Sequence, residues 1–261
     1  MKKISPFGGL SKTALLYLSP LAIVFALWQL SSTTGILPKS VFPSFFSVLR
    51  ALWDLIITGE IFPHMLASFY RSFTGLIIAV VLGVSLGICM ARIVSVHNFF
   101  DPILVLIYPI PKPAIIPLFM IWLGIGDFSK ISVIALGCAV PIVISSYNAA
   151  RGVDVKLVWS ALSKGTSPKK ILWRVIIPAS LPQIGASVRV SLAVSFIILI
   201  SSELISSAKG LGFLTFSYGS LGSEDYMIAV VFFLAATGFL ADLLYVFLLK
   251  RILSWHEFGG T

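Results

Sequence analysis

Six long apolar runs, set apart by polar or Pro- and Gly-containing stretches, organise the chain. They fall at about 14–30, 73–91, 99–123, 131–147, 184–205 and 227–249. A helix needs about 20 mostly apolar residues to cross a bilayer. The pattern therefore predicts an all-α integral membrane protein with about six transmembrane helices in one domain, 1–261. Composition agrees. The chain is 58% hydrophobic and 11% charged, with a mean hydropathy of +1.03, where soluble domains carry about a quarter charged residues.

The first run follows "MKK" and could be a signal peptide. It is long for such an apolar core, and "WQLSSTTGILP" after it offers no small-x-small cleavage site, so it is expected to stay as a span. The nineteen Lys and Arg residues then orient the chain. With the N-terminus inside, twelve fall on the cytoplasmic side (Lys2, Lys3, Lys12, Arg92, Arg151, Lys156, Lys164, Lys169, Lys170, Arg174, Lys250 and Arg251). Five fall outside (Lys39, Arg50, Arg71, Lys130 and Lys209), and Lys112 and Arg189 fall within spans. That bias places both termini in the cytoplasm. The net charge of +9 follows from these loop bases. No dense basic run with interleaved aromatics points to nucleic acid.

Between the first two runs, Phe46, Leu49, Leu52 and Trp53 share one helical face. They predict a short amphipathic helix at the outer interface. Cys89 and Cys138 lie within apolar runs, and His64, His97 and His256 are scattered. No disulfide framework, metal site or catalytic constellation is expected.

The segment "DVKLVWSALSKGTSPKKILWRVIIPASLP" breaks the apolar pattern. Asp154 suits the N-cap of a helix starting at Val155. Val155, Val158, Trp159 and Leu162 then recur at i, i+3, i+4 and i+7. Gly165 supplies the left-handed residue that ends a helix. Ser167 caps a second helix with Pro168 at its first position, and Ile171, Leu172, Val175 and Ile176 form its face. Pro178 and Pro182 are expected to stop it. A short, basic, amphipathic helix pair follows. It could bind anionic lipid, serve as a plain loop, or dock a soluble partner.

Charges within spans are functional candidates by default. Lys112 lies in "YPIPKPAIIP", whose prolines cannot share one regular helix. Broken backbone is tolerated at membrane depth only where protein or water surrounds it. Tyr108, Pro111, Lys112 and Pro113 are therefore candidates to line a pathway, with Lys112 meeting an anionic substrate. Alternatively, Lys112 snorkels or pairs with Glu203 or Asp101. Glu203, near the outer face, is a further pathway candidate, as a gate, or else a structural salt bridge. Arg189 is expected to snorkel or pair with the basic loop. Asp242 is ambiguous, and Asp101 reads as a helix cap.

The loop resembles that of ABC importer permeases, whose motif is Glu-Ala-Ala, three residues, Gly, nine residues, aliphatic, one residue, aliphatic, Pro. Ala161, Gly165, Val175, Ile177 and Pro178 match it; Trp159 and Ser160 depart from it. "YPIPKPAIIPLFMIWLGIGDFSKI", "SSELISSAKGLGFL" and "LKRILSWHE" extend the resemblance to the nitrate, sulfonate, taurine and bicarbonate branch over nearly the whole chain.

The resemblance implies a type I ABC importer permease fold with a coupling helix pair between spans 4 and 5. It also implies a second permease subunit, in a homodimer, two cytoplasmic ATPase subunits and an extracytoplasmic binding protein. Val155, Val158, Trp159, Ala161, Leu162, Gly165, Pro168 and Pro178 would form the ATPase-coupling element. With Trp159 in place of the family's Glu, its first docking contact is expected to be apolar. The chain has no Gly-x-x-x-x-Gly-Lys-[Ser/Thr] loop. It is expected to bind no cofactor and catalyse nothing, with ATP and Mg²⁺ on the partner ATPase. Cargo of the implied machinery is a small anion or, alternatively, a small heterocyclic vitamin precursor. From other classes, a stand-alone secondary transporter or channel would show internal repeats with broken helices in both halves. A membrane enzyme would show paired carboxylates or histidines at one depth.

Overall fold

The computed structural model describes residues 7–34 and 42–255, with side chains from Ser19 onward except Leu21. The expectations on Lys2, Lys3, Lys39 and His256, and on the side chain of Lys12, lie outside these residues. Every regular element described is helical: α1 Phe7–Thr33, α2 Phe45–Ile57, α3 Ile61–Arg92, α4 Val94–Ile107, α5 Ile116–Leu123, α6 Asp127–Arg151, α7 Val155–Ser163, α8 Pro168–Ile171, α9 Ile177–Ile205, α10 Leu211–Ser220 and α11 Glu224–Ile252.

Four helical stretches are long and apolar enough to cross a membrane: Ile61–Arg92, Asp127–Arg151, Pro168–Ile205 and Glu224–Ile252. The expected third span is instead two helices, α4 and Lys112–Leu123, meeting at 94°. Pro109 and Pro111 lack the N–H groups that would continue α4. The first expected span lies in α1, where the described apolar stretch is the shorter Ala22–Thr33.

The chain falls into two compact units. The first runs to Phe62 and includes Leu214–Phe233; the second comprises Pro63–Phe213 and Leu234 onward. In the first, Phe25, Trp28, Phe45 and Phe232 form an aromatic cluster with ring centroids 4.7–6.5 Å apart. Trp28 Nε1 donates to the Pro43 carbonyl at 3.0 Å, and Phe45 N donates to Gln29 Oε1 at 3.1 Å. Ser44 caps α2, accepting from Ser47 N at 3.1 Å.

The apolar face read from the sequence on α2 is the one left bare on the chain, and a second apolar face packs inward. Val48, Ala51 and Leu55 are buried, while Phe46, Leu49 and Trp53 are exposed. Both faces of this helix are thus apolar, and only one of them packs on the protein.

In the second unit α3, α6, α9 and α11 pack side by side. Gly75 of α3 meets Ile131 and Ile134 of α6, and Gly83 meets Ala139 and Ile142. Both numbers rise together, so α3 and α6 run parallel. Gly75, Ala79, Gly83 and Gly87 repeat every four residues. Such small positions let helix backbones approach closely where water drives no association. A Cβ at Gly83 would lie 2.8 Å from Ile142 Cγ2. α9 runs opposite to both: Ser72 and Ser195 hydroxyls meet at 2.8 Å, and Cys138 Sγ donates to the Ser191 carbonyl at 3.3 Å. Arg189 of α9 and Asp242 of α11 form a two-pronged pair at 2.7 Å, exposed on the surface of the chain. Arg189 therefore pairs with α11 and not with the basic loop. The sequence could not show this, because the partners lie 53 residues apart. Asp101 lies well inside α4, exposed, and caps nothing.

Candidate functional site

The first helix after α6 begins and ends where its cap residues place it. Asp154 Oδ1 accepts from Lys156 N at 2.8 Å and starts α7. Gly165 ends it with φ +73°, a conformation that L side chains rarely adopt. Gly165 N donates to the Leu162 carbonyl at 2.9 Å, and Thr166 N to that of Ala161 at 3.1 Å. This closes the helix C-terminus in the Schellman manner. Pro168 opens α8 after an extended Ser167, but the Ser167 side chain makes no capping hydrogen bond, so the cap expected there is backbone geometry alone.

The second helix does not stop at Pro178. α8 passes through one π-helical turn, Leu172–Ile176, into α9, giving an unbroken stretch from Pro168 to Ile205. Ile177 N donates to the Leu172 carbonyl, five residues back. This widened turn lies just ahead of Pro178, whose ring would otherwise clash with the carbonyl of Arg174 in a regular helix. In place of the expected pair, the loop holds one short helix followed by the foot of a span.

The apolar face of α7 divides. Val158 and Ala161 pack with Val153, Leu172 and Val175 around Ala150, Ile171 and Ile176. Val155, Trp159 and Leu162 point away and are exposed, Trp159 at 65%, as is Trp173 at 70%. Lys156, Lys164, Lys169, Lys170 and Arg174 surround them, also exposed. A helix anchored by one edge and bare on the other is shaped to enter a groove.

At the break between α4 and α5, Lys112 Nζ donates to the carbonyls of Ile107, Tyr108 and Ile110 at 2.8, 3.1 and 2.8 Å. Lys112 thus closes the C-terminus of α4 with its own ammonium. Its stem lies over Gly137. Tyr108, Pro111 and Pro113 are exposed around it.

Glu203 is not beside Lys112. It is 1% exposed and accepts from Arg71 Nη1 at 2.6 Å, from Ser68 Oγ at 2.9 Å and from Gly212 N at 2.9 Å. Gly210, at φ +133°, passes so close that a Cβ there would strike the carboxylate. Arg71 also holds Asp127 through Nε at 2.7 Å and the Lys209 carbonyl through Nη1 at 2.6 Å. This knot ties α3, α6, α9 and the Ser206–Gly210 loop together. Sequence reasoning misses the roles of Ser68, Arg71 and Asp127. The only signal there is a base and an acid, each at the edge of an apolar run. Among the described residues, no group of three or more His, Cys, Asp or Glu side chains could hold a metal ion.

Long apolar spans, one broken helix pair and a capped amphipathic helix just before the span Pro168–Ile205 define an integral membrane protein. Residues 79–254 match the family described as "Binding-protein-dependent transport system inner membrane component", and the chain belongs to that family. It is 32% identical over 252 residues to "Taurine transport system permease protein TauC" of Escherichia coli (strain K12), covering 95% of this chain and 92% of that one. It is 31% identical over 236 residues to "Putative aliphatic sulfonates transport permease protein SsuC" of Bacillus subtilis (strain 168), covering 90% and 86%. Its fold is that of a chain in the inward-facing MetNI methionine ABC transporter, with a TM-score of 0.56, 20% identity and 80% and 97% of the two chains covered. The type I permease fold that the resemblance implied is the fold observed.

Proposed function

We propose that this chain is the membrane-spanning subunit of an ATP-driven importer for a small sulfonate, taurine or an aliphatic sulfonate. Two copies enclose the pathway, two ATPase subunits drive it, and an extracytoplasmic binding protein delivers the substrate. Both termini and the α7 loop face the cytoplasm, as the distribution of basic residues supports. ATP and Mg²⁺ belong to the ATPase partner. The sulfonate assignment draws on the names of the relatives.

The observation that carries this reading is α7, fixed to the protein through Val158 and Ala161 while Val155, Trp159 and Leu162 stay bare. Closure of the ATPases moves a helix held in their cleft, and the movement biases the permease between its inward- and outward-open states. Tyr108, Pro111 and Pro113, exposed at the broken span, line the pathway. Lys112 holds that break in shape.

The test is taurine uptake into proteoliposomes holding the chain, its ATPase and its binding protein. Uptake is expected to require ATP and all three components and to stop with vanadate. Taurine uptake by the chain alone, without ATP, would overturn the reading.

A further inference from the structure

Beside the Arg71 knot lies a cavity of about 490 Å³ whose walls include Arg71, Asp127, Lys130, Ser206, Ser207 and Lys209. Three cations face it against one carboxylate. That carboxylate is already engaged by Arg71 Nε, and Glu203 is enclosed behind the wall by Arg71, Ser68 and Gly212. Arg71 Nη2 has no partner among the described residues.

Lys130 is the most telling of the three. It is only 2% exposed, yet its ammonium makes one hydrogen bond, to the Gly126 carbonyl at 3.3 Å. Two of its N–H bonds find no acceptor among the described residues. A buried charge is costly unless it is paired and fully hydrogen-bonded. The cavity is the open side from which acceptors can come. A Lys130 present only for packing would be replaceable by an apolar side chain of the same length.

Position adds to this. Arg71 lies 21 residues before Arg92 on α3, about 32 Å at about 1.5 Å per residue, which is close to the thickness of a bilayer core. The cavity therefore opens at the membrane boundary opposite to the α7 loop. Three cationic side chains on one wall suit an oxyanion, Arg71 offering the N–H groups of its remaining Nη2 and the lysines acting as point charges.

The geometry points to an anion-receiving site formed by Arg71, Lys130 and Lys209, which takes the oxyanion head group of the substrate as it enters. In the sulfonate reading, on which the orientation and the choice of head group rest, this is the first contact after release from the binding protein. Arg71 stabilises the fold as well. Lys209, exposed on the loop, is the member that can be altered without disturbing packing.

The experiment uses the assembled complex with Cys89→Ser and Ala208→Cys, which places a thiol on the cavity wall. Its reaction with 2-sulfonatoethyl methanethiosulfonate is compared with that of the trimethylammonium analogue, each normalised to a small thiol in solution. The anionic reagent is expected to be favoured about tenfold, as local positive potential concentrates anions. Lys209→Ala and Lys130→Met should each reduce that preference, Lys209→Arg should keep it, and excess taurine should slow the reaction. If the two reagents react alike, or if the preference survives both Lys209→Ala and Lys130→Met, the site is overturned. If nitrate slows the reaction and taurine does not, the anion site stands and the sulfonate reading falls. A failure of taurine import while taurine still protects the introduced thiol would instead count against the transport assignment alone.

Discussion

Arg71 Nη1 reaches Glu203 Oε1 at 2.6 Å, and the carboxylate it reaches is wholly enclosed. A pair of this kind matters most when one half of it is removed. Glu203→Ala leaves a buried guanidinium, and Arg71→Ala a buried carboxylate. Each is expected to destabilise the protein by about 3–5 kcal/mol, seen as a lower midpoint in thermal unfolding of the detergent-solubilised chain. Arg71→Met with Glu203→Met should recover much of the loss. Equal instability of the double variant would show that the pair's hydrogen bonds to Ser68 and Gly212 matter more than its charges.

Gly83 sets the distance between α3 and α6. An added methyl would sit 2.8 Å from Ile142 Cγ2, too close for any real contact, so one helix must shift. Gly83→Ala is expected to cost about 1–3 kcal/mol, and Gly83→Leu to prevent assembly. Ile142→Ala on the facing helix should partly rescue Gly83→Ala, read as recovered thermal stability and monodisperse elution.

Arg189 and Asp242 are exposed on the chain, yet Asp242 lies only eight residues before Lys250 on a membrane-crossing helix. Facing lipid, such a pair is strongly disfavoured, so it is expected to lie in polar surroundings in the assembled protein. Arg189→Ala or Asp242→Ala leaves one charge without its partner and should lower the yield of assembled complex. Arg189→Asp with Asp242→Arg should restore it. If both single variants assembled as well as the parent, the pair would have no such role.

Gly165 needs only its backbone freedom, since nothing lies within 4 Å of the site a Cβ would take. Gly165→Ala strains a left-handed residue by about 1–2 kcal/mol without a clash. Gly165→Asp adds charge to a surface proposed to meet the ATPase. The alanine variant is expected to retain most uptake, and the aspartate variant to keep ATP hydrolysis while losing its coupling to transport. Trp159→Ala should weaken co-purification with the ATPase, whereas an apolar Trp159→Phe should keep it. Unchanged uptake and ATPase stimulation in Gly165→Asp would remove this loop from the mechanism.

Local signals in this chain are readable where one residue decides the backbone. Asp154, Gly165 and Pro168 stand where their capping chemistry puts them. Pro178 does not stop its helix, because a proline's cost falls when the preceding turn widens, and no single position shows that. The buried face of α2 escapes the sequence because both of its faces are apolar. The four-residue repeat Gly75, Ala79, Gly83, Gly87 is present in the sequence and marks the contact with α6. Glu203 stands out as a charge near a span end, but its partner Arg71 lies 132 residues away. Only the tertiary structure joins them.

The π turn at Leu172–Ile176 has a mechanical consequence. Because the chain never breaks between Pro168 and Ile205, the foot beneath the membrane and the span within it form one lever. From Ile176 to Ile205 its long arm measures about 44 Å at about 1.5 Å per residue. A tilt of about 5° at the foot would carry the far end of that arm sideways by about 4 Å, more than the radius of a small anion. At the foot of that lever sits the widened turn, closed by the bond from Ile177 N to the Leu172 carbonyl five residues back.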